Sequence, residues 1–249
     1  MKYKKIMFML VLAVFIFGAA GVCAGDVNDT AIAGEDDSSV ELPQADTVEV
    51  MSSEGDELIG QTENELLSEG NSGTFAELQA NINATTQGST LTLNKNYEYE
   101  DGFESEGILI DKSITIDGNG SKIDAQGKSR IFKITAENVI LKNIIFTNGK
   151  TTDSGGAVYF SSNGAVTNCK FIYNEVSGHY SKGGAIWFGV TGNVTNCNFM
   201  DNKATGYYGE AGAVCFESNG TVSNCNFMDN KATGYYGEAG AVCFESNGT

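Results

Sequence analysis

Short apolar stretches alternate with polar turns along most of this chain, and from residue 155 onward the pattern returns every 28 residues. The motif Gly-Gly-Ala-Val at 155–158 comes back, with small changes, at 183, 211 and 239, and Asn-Cys-Lys-Phe at 168–171 comes back at 196 and 224. Each unit carries two strand patterns, such as those at 157–160 and 166–171, and has no apolar stripe of helical length. Self-similarity at such a period is typical of a solenoid or a repeat array.

The apolar residues of successive units predict how the units stack. Within a strand pattern they stand two apart, so they lie on one face of the strand. If each unit makes one coil, equivalent residues stack about 4.8 Å apart in parallel, in-register strands. The pattern therefore predicts an all-β fold, a parallel β-helix, with its repeats over 155–249. Its apolar columns are Val158, Ile186, Val214 and Val242; Phe160, Phe188, Phe216 and Phe244; and Phe171, Phe199 and Phe227.

Asparagines recur at two positions of the repeat. Stacked side-chain amides can hydrogen-bond along the axis of a β-helix, and asparagine also tolerates the bent backbone where a strand turns a corner. We expect both sets to form ladders, with ordinary turn residues as the alternative interpretation. The two columns are Asn168, Asn196 and Asn224, and Asn174, Asn202 and Asn230.

A short amphipathic helix is predicted at 74–84, before the strands begin. Thr74 and Glu77 have capping-box spacing, and Phe75, Leu78 and Ile82 fall on one helical face. A helix this short is not stable alone, so we expect it to cap the N-terminal end of the β-helix, which spans 74–249 in all. Irregular coils at 107–154 should link it to the repeats, with strands expected at 108–110, 113–117, 121–124, 130–134, 139–141 and 144–147.

The C-terminal end of the stack has no visible cap. Both ends of a solenoid need cover, because an open end is an exposed sheet edge. The sequence ends within a repeat, at Thr249. We therefore expect this chain to be a truncated piece of a longer protein.

The first 73 residues have a different character. Basic residues precede an apolar run at 6–17 and small residues up to Ala24, which predicts a signal peptide at 1–24 and a secreted or cell-surface protein. An uncleaved anchor is the alternative, although the run is short for a membrane span, and we expect none in the mature chain. Residues 25–73 hold 14 acidic residues and no lysine or arginine, so they should form a disordered acidic linker.

Composition excludes several classes of function. The net charge of −17 argues against a nucleic-acid partner, because phosphate backbones attract basic surfaces. The presence of a single histidine, His179, excludes histidine-based zinc clusters and argues against a Ser-His-Asp triad. We therefore expect no cofactor and no metal.

Several motifs resemble known families. The stretch Ile-Thr-Ile-Asp-Gly-Asn-Gly at 114–120 and the following residues up to Phe146 resemble the first coils of pectate-lyase-like right-handed β-helices. The Gly-Gly-Ala-Val and Asn-Cys-x-Phe repeats are similar to those of polymorphic outer-membrane proteins. With its signal peptide, acidic spacer and helix, the chain most resembles adhesin-like surface proteins of archaea. This resemblance implies a right-handed β-helix and a role in adhesion.

An enzyme is the alternative function, since β-helix lyases and hydrolases act on polysaccharides. Such enzymes place acidic and basic residues on an exposed groove, and glycosidases need carboxylates at set distances. The acids of the irregular coils are Asp111, Asp117, Asp124 and Asp153, with Lys112, Lys122 and Arg130 nearby. Asp117 and Asp124 adjoin glycine-rich turns, where aspartate is common for backbone reasons. We therefore predict that the protein is not an enzyme.

Cysteines occur in two columns of the repeat. Cys169, Cys197 and Cys225 are expected inside, as inert core residues. Cys215 and Cys243 are expected outside, where they replace Tyr159 and Trp187 of earlier coils. A disulfide between these two is an open alternative in a secreted chain, whereas the lack of CxxC spacing argues against zinc.

Tyrosines form the candidate binding face. They lie in glycine-flanked loops between coils, so we expect them to be exposed. Stacked rings along one edge could bind sugars or insert into a partner surface; packing along the solenoid is the alternative. The candidate residues are Tyr180, Tyr207, Tyr208, Tyr235 and Tyr236, with His179 in the same column as Tyr207.

Three functional hypotheses follow. The first is an adhesin-like protein whose β-helix serves as a rigid spacer and a binding face for cell-surface glycans or proteins. The second is a polysaccharide-processing enzyme of the lyase or hydrolase type. The third is a structural envelope element without a specific ligand. The sequence favours the first.

Overall fold

The computed structural model of this chain describes residues 72–237 and 239–246. The predicted signal peptide at 1–24 and nearly all of the predicted acidic linker, residues 25–71, lie outside the described residues. Both therefore stay predictions.

The described chain winds into a right-handed parallel β-helix of about six turns, which confirms the predicted fold class. Three long parallel sheets form its faces. Sheet 1 contains Ile108–Ile110, Phe132–Ile134, Val158–Phe160, Ile186–Phe188, Val214–Phe216 and Val242–Phe244. Sheet 2 contains Thr90–Thr92, Thr115–Asp117, Val139–Lys142, Gly164–Thr167, Gly192–Thr195 and Gly220–Ser223. Sheet 3 contains Gly73–Thr74, Tyr97–Glu98, Lys122–Asp124, Ile145–Thr147, Lys170–Ile172, Asn198–Met200 and Asn226–Met228.

Two smaller parallel sheets carry the chain from sheet 3 back to sheet 1. Sheet 4 contains Lys150–Thr151, Glu175–Val176, Lys203–Thr205 and Lys231–Thr233, and sheet 5 contains Tyr180–Lys182 and Tyr208–Glu210. The coil from 183 to 210 thus passes through five short strands, where the sequence predicted two. Strands of two or three residues are too short to leave a periodic signal.

The 28-residue period sets the register of the coils. Val158 pairs with Ile186, which pairs with Val214, and the phenylalanines two residues on pair in the same way. One coil earlier the spacing is shorter, and Phe171 pairs with Phe146. Each residue of a coil therefore lies beside the equivalent residue of the preceding coil.

Stacked phenylalanines fill the core of the repeats. The ring centroids of Phe160 and Phe188 lie 4.5 Å apart, and those of Phe188 and Phe216 lie 5.1 Å apart, with nearly parallel ring planes. Parallel, in-register strands impose this spacing, because equivalent side chains sit one strand apart. The same buried core continues down to α1, a helix over Phe75–Ala84.

The expected strand at 166–171 is two strands, and the reason is Asn168. Its backbone lies in the left-handed region, with φ at 54°, and this ends the sheet 2 strand and starts the one in sheet 3. Asn196 and Asn224 repeat the conformation. Asparagine adopts it more readily than most residues, so this column forms a corner.

Only one of the two predicted asparagine ladders carries amide hydrogen bonds. Asn174 Nδ2 donates to Asn202 Oδ1 at 2.9 Å, and Asn202 Nδ2 donates to Asn230 Oδ1 at 2.9 Å. Each also donates to a phenylalanine carbonyl of the preceding coils. The column of Asn168, Asn196 and Asn224 is exposed and makes no such bond, because its side chains point away from the core.

The predicted helix is present with its apolar face buried. Thr74 is the N-cap and accepts from the Glu77 amide at 3.2 Å, while Phe75, Leu78 and Ile82 are buried against the first coils. Glu77 does not complete the capping box. The Glu100 carboxylate instead accepts from the first amides of the helix. Among the described residues, no helix has the length and apolar character needed to cross a bilayer.

Candidate functional site: a tyrosine ladder

The candidate site lies on sheet 5, whose strands come between those of sheet 4 and sheet 1 along the chain. Tyr180 pairs with Tyr208, and the Tyr208 amide donates to the His179 carbonyl at 2.9 Å. Two of the predicted tyrosines thus begin short strands, where loops were expected. A side chain at Gly206 would collide with the Gly178 carbonyl of the previous coil. Glycine is therefore required here for successive coils to approach closely.

Two stacked columns of rings result. In one column, Tyr208 stacks on Tyr180 at 5.0 Å and Tyr236 stacks on Tyr208 at 5.2 Å, both within 10° of parallel. In the other column, Tyr207 stacks on His179 at 5.3 Å and Tyr235 on Tyr207 at 5.4 Å. We call these rings the tyrosine ladder.

The tyrosine ladder is a continuous, accessible aromatic surface. Tyr180 is 61% exposed, Tyr207 45%, Tyr235 75% and Tyr236 51%, while Tyr208 is half-buried between its neighbours. The two columns meet edge to face, since Tyr207 and Tyr208 cross at 77°. Such a surface offers ring faces for apolar contact and hydroxyl groups for hydrogen bonds.

Asp117 and Asp124, the candidate catalytic acids, have structural partners. The Asp117 carboxylate accepts from the Asn119 amide at 3.1 Å and from the Asn143 side chain at 2.9 Å. The hydrogen bond from Asn143 lowers the pKa of Asp117 below its usual value. Asp124 makes the equivalent bonds to the Gln126 amide and Asn148. Both aspartates therefore stabilise turns and corners of the irregular coils.

Arg130, a basic residue of the same irregular coils, has an unexpected position. Its guanidinium is wholly buried and donates to the carbonyls of Gly155 at 3.1 Å and Ser154 at 3.0 Å. It also lies 5.0 Å from the centre of the Tyr159 ring. A ligand cannot reach this charge, so Arg130 serves the packing between the coils. The residues next to Arg130 in the sequence do not indicate that it is buried.

A further exposed tyrosine, Tyr173, was not predicted from the sequence. Tyr173 is 58% exposed and has a φ of 59°, in a corner column that Asn148 and Asp201 fill in the adjacent coils. It borders an open groove of about 360 Å³, which Lys150 and Glu175 also line. A comparison of corner residues between repeats would have found it, because a bulky residue rarely adopts this conformation.

The two cysteine columns have different surroundings. Cys169 and Cys197 are buried in the main core, as expected, and a hydrogen bond with Cys169 raises the pKa of Cys197 to about 12. Cys215 and Cys243 lie outside that core and are free thiols. Cys215 is nevertheless buried, in a second apolar cluster with Trp187 and Ala211. The position of Cys215 outside the main core was predicted, but its burial beneath Ala211 was not.

Charged residues surround this second cluster. Lys182 Nζ lies 3.6 Å from Glu210 and 3.4 Å from Glu217, and it also donates to Glu245. Burial opposes the charge on Lys182, but the hydrogen bond to Glu245 and the nearby carboxylates raise its pKa above the usual value. Burial likewise raises the pKa of Glu210.

The described residues define a class of protein: a β-solenoid built from coils and carrying an exposed aromatic face. Comparison with protein families gives one match, to the right-handed beta helix region, over residues 80–248. The chain belongs to this right-handed β-helix family. No curated protein and no solved structure matches it.

Proposed function

We propose that this protein is a non-catalytic, adhesin-like protein of the cell surface or the secreted fraction. Its β-helix would act as a rigid spacer and a binding face for glycans or other cell-surface partners. The observation that carries the proposal is the tyrosine ladder, a set of stacked rings held in register by the coils beneath them.

The geometry of the tyrosine ladder suits binding. Each ring is held between neighbours about 5 Å away, so little side-chain freedom is lost when a partner binds. The faces of sugar rings present C–H groups that pack on aromatic rings, and their hydroxyls bond to tyrosine hydroxyls. Residues 74–249 carry 18 acids against 12 bases, which favours a neutral glycan over an acidic one.

The location of the protein is part of the proposal. It rests on the signal-peptide pattern at 1–24 and on the resemblance to adhesin-like surface proteins of archaea with polymorphic outer-membrane-protein-type repeats. The family match supports the β-helix fold alone, which occurs both in adhesins and in polysaccharide-active enzymes. The structural roles of Asp117 and Asp124 weigh against the enzyme.

The test is binding of the full chain to a glycan panel and to whole cells. The variant replaces Tyr207, Tyr208, Tyr235 and Tyr236 by alanine, and it should bind at least tenfold more weakly. Tyr173→Ala is the matched control, since it removes an exposed tyrosine from another corner and should leave binding unchanged. Circular dichroism checks that the β-structure persists.

Three outcomes contradict the proposal. Equal binding by the ladder variant and the wild type would show that the tyrosine ladder is not the binding face, and no binding to any probe would favour a structural envelope element. Turnover of any glycan in the panel would favour the polysaccharide-processing enzyme instead.

A further inference from the structure

The thiols of Cys215 and Cys243 face each other outside the main core. They occupy paired positions on adjacent strands of sheet 1, and both are free. Cys215 is fully buried and Cys243 half-buried, and Trp187 packs against Cys215 as the preceding residue of the column. Two free thiols thus lie side by side in a place partly shielded from water.

Sheet 5 brings a carboxylate to the same place. Glu210 ends the strand Tyr208–Glu210, and its carboxylate oxygen and the two sulfur atoms all lie within 4.8 Å of one another. A carboxylate oxygen of Glu245 lies 3.8 Å from the Cys215 sulfur. Two sulfurs and two oxygens thus converge from three segments of the chain.

The donor set selects one kind of ligand. Thiolates with carboxylates suit zinc and related thiophilic cations, whereas calcium and magnesium take oxygen ligands only. Around a tetrahedral zinc ion the donor atoms lie roughly 3.3–3.8 Å apart, as the usual zinc–sulfur and zinc–oxygen distances require. The present spacing therefore needs only small movements of side chains.

The charge balance also favours a cation. Within the described residues, Lys182 is the one basic side chain that contacts Glu210, Glu217 and Glu245. One ammonium faces three carboxylates before the thiols are considered. A divalent cation would offset this excess negative charge in a site partly shielded from water.

We propose that Cys215, Cys243 and Glu210 bind one thiophilic divalent cation of the zinc type, with Glu245 as the fourth donor. Binding releases the thiol protons to water, and Glu245 exchanges its bond with Lys182 for the metal. The cation would link the strand that carries Tyr208 to two coils of sheet 1. The site stands on its own residues and does not depend on the proposed adhesive function.

The test uses the full chain, reduced and free of metal, titrated with Co²⁺ without oxygen. We expect saturation at one equivalent, thiolate-to-cobalt charge-transfer absorption, and quenched fluorescence of Trp187, which is the only tryptophan of the chain. Zn²⁺ should displace the cobalt. Cys215→Ser and Cys243→Ser should each weaken binding at least 100-fold, and Glu210→Gln at least tenfold.

Cys225→Ser is the matched control, because it removes a half-buried thiol of the column that contains Cys169 and Cys197, and it should leave the titration unchanged. If Cys215→Ser does not fold, Cys243→Ser and Glu210→Gln still test the site. Equal cobalt affinity in these variants, or no binding by the reduced wild type, would overturn the proposal. A stable, metal-free Cys215–Cys243 disulfide in the protein isolated without reductant would overturn it as well.

Discussion

At the scale of the residue, asparagine has two physically different tasks in the same coil. Asn196 supplies a left-handed backbone at a corner, with φ at 55°, and its side chain is exposed. Asn202 is fully buried, and its side-chain oxygen accepts from both the amide and the side chain of Asn174. The first task depends on the backbone and the second on paired polar groups.

This difference predicts unequal losses of stability for substitutions six residues apart. Asn202→Ala leaves the buried amide of Asn174 without its partner and removes a side-chain hydrogen bond to the carbonyl of Phe171, so the free energy of unfolding should fall by about 3 kcal/mol. Asn196→Gly should stay within about 1 kcal/mol of the wild type, because glycine adopts the left-handed conformation freely. Denaturant unfolding followed by circular dichroism measures both. Equal losses would contradict the division of roles.

At the scale of the element, the helix α1 is held by the coil after it. The amides of Phe75 and Ala76 each donate to the Glu100 carboxylate at 2.8 Å. Glu77, which a capping box would direct back to Thr74, instead forms an ion pair with Lys95 at 2.6 Å. A negative charge at the N-terminus of a helix pairs its free amides and interacts favourably with its dipole.

Removal of this carboxylate should loosen the helix. We expect Glu100→Ala to lower the free energy of unfolding by about 1–2 kcal/mol, as for the loss of a strong N-cap. Amide hydrogen exchange should accelerate at 75–84 before it does in the repeats. Glu104→Ala is the control, since that exposed side chain makes no such bond and the substitution should change neither measurement. Unchanged exchange in Glu100→Ala would show that apolar packing alone holds α1.

At the scale of the whole molecule, each coil depends on its neighbours. Its backbone groups bond to the coils above and below, as when Ala185 donates to Ala213 and accepts from Ala157, both at 2.9 Å. The stability of such an array is close to a sum over coils and their interfaces. A deletion should therefore preserve the fold only if the residues after it keep their positions within the coil.

A pair of deletions tests this expectation. Removal of residues 196–223, one full period, joins Thr195 to Asn224 and restores the register, so cooperative unfolding and the far-UV spectrum per residue should persist. The rod should shorten by about 4.8 Å. Removal of 196–209, half a period, deletes the sheet 3 strand Asn198–Met200 and brings residues 212–214, which lead into the sheet 1 strand Val214–Phe216, to its place, which should abolish the fold. Persistence of native structure in the shorter deletion would contradict the coil-by-coil account.

Much of this architecture could be predicted from particular residues. The column of Phe160, Phe188 and Phe216 stacks as expected, because identical spacing forces identical positions on successive coils. The face of α1 was predicted from Phe75, Leu78 and Ile82 for the same periodic reason. The predicted tyrosine ladder is stacked in the structure, whereas its binding role stays a prediction.

Other features could not be predicted, because they depend on residues distant in the sequence. Glu100 caps a helix 25 residues before it, and Arg130 is buried beneath carbonyls of 154–155. The pairing of Glu210 with Cys215 and Cys243 joins sheet 5 to sheet 1. No period marks these contacts, since each occurs once.

The sequence alone determined that equivalent residues stack, because a 28-residue repeat allows every coil the same path and only a parallel, in-register arrangement buries all of its apolar columns. The tertiary structure decided what each column faces. A corner at Asn168 turns the chain by a backbone angle that the residue type permits without requiring it. That angle, and the packing of sheet 5 against sheet 1, determine whether a tyrosine meets solvent or a cysteine meets a carboxylate.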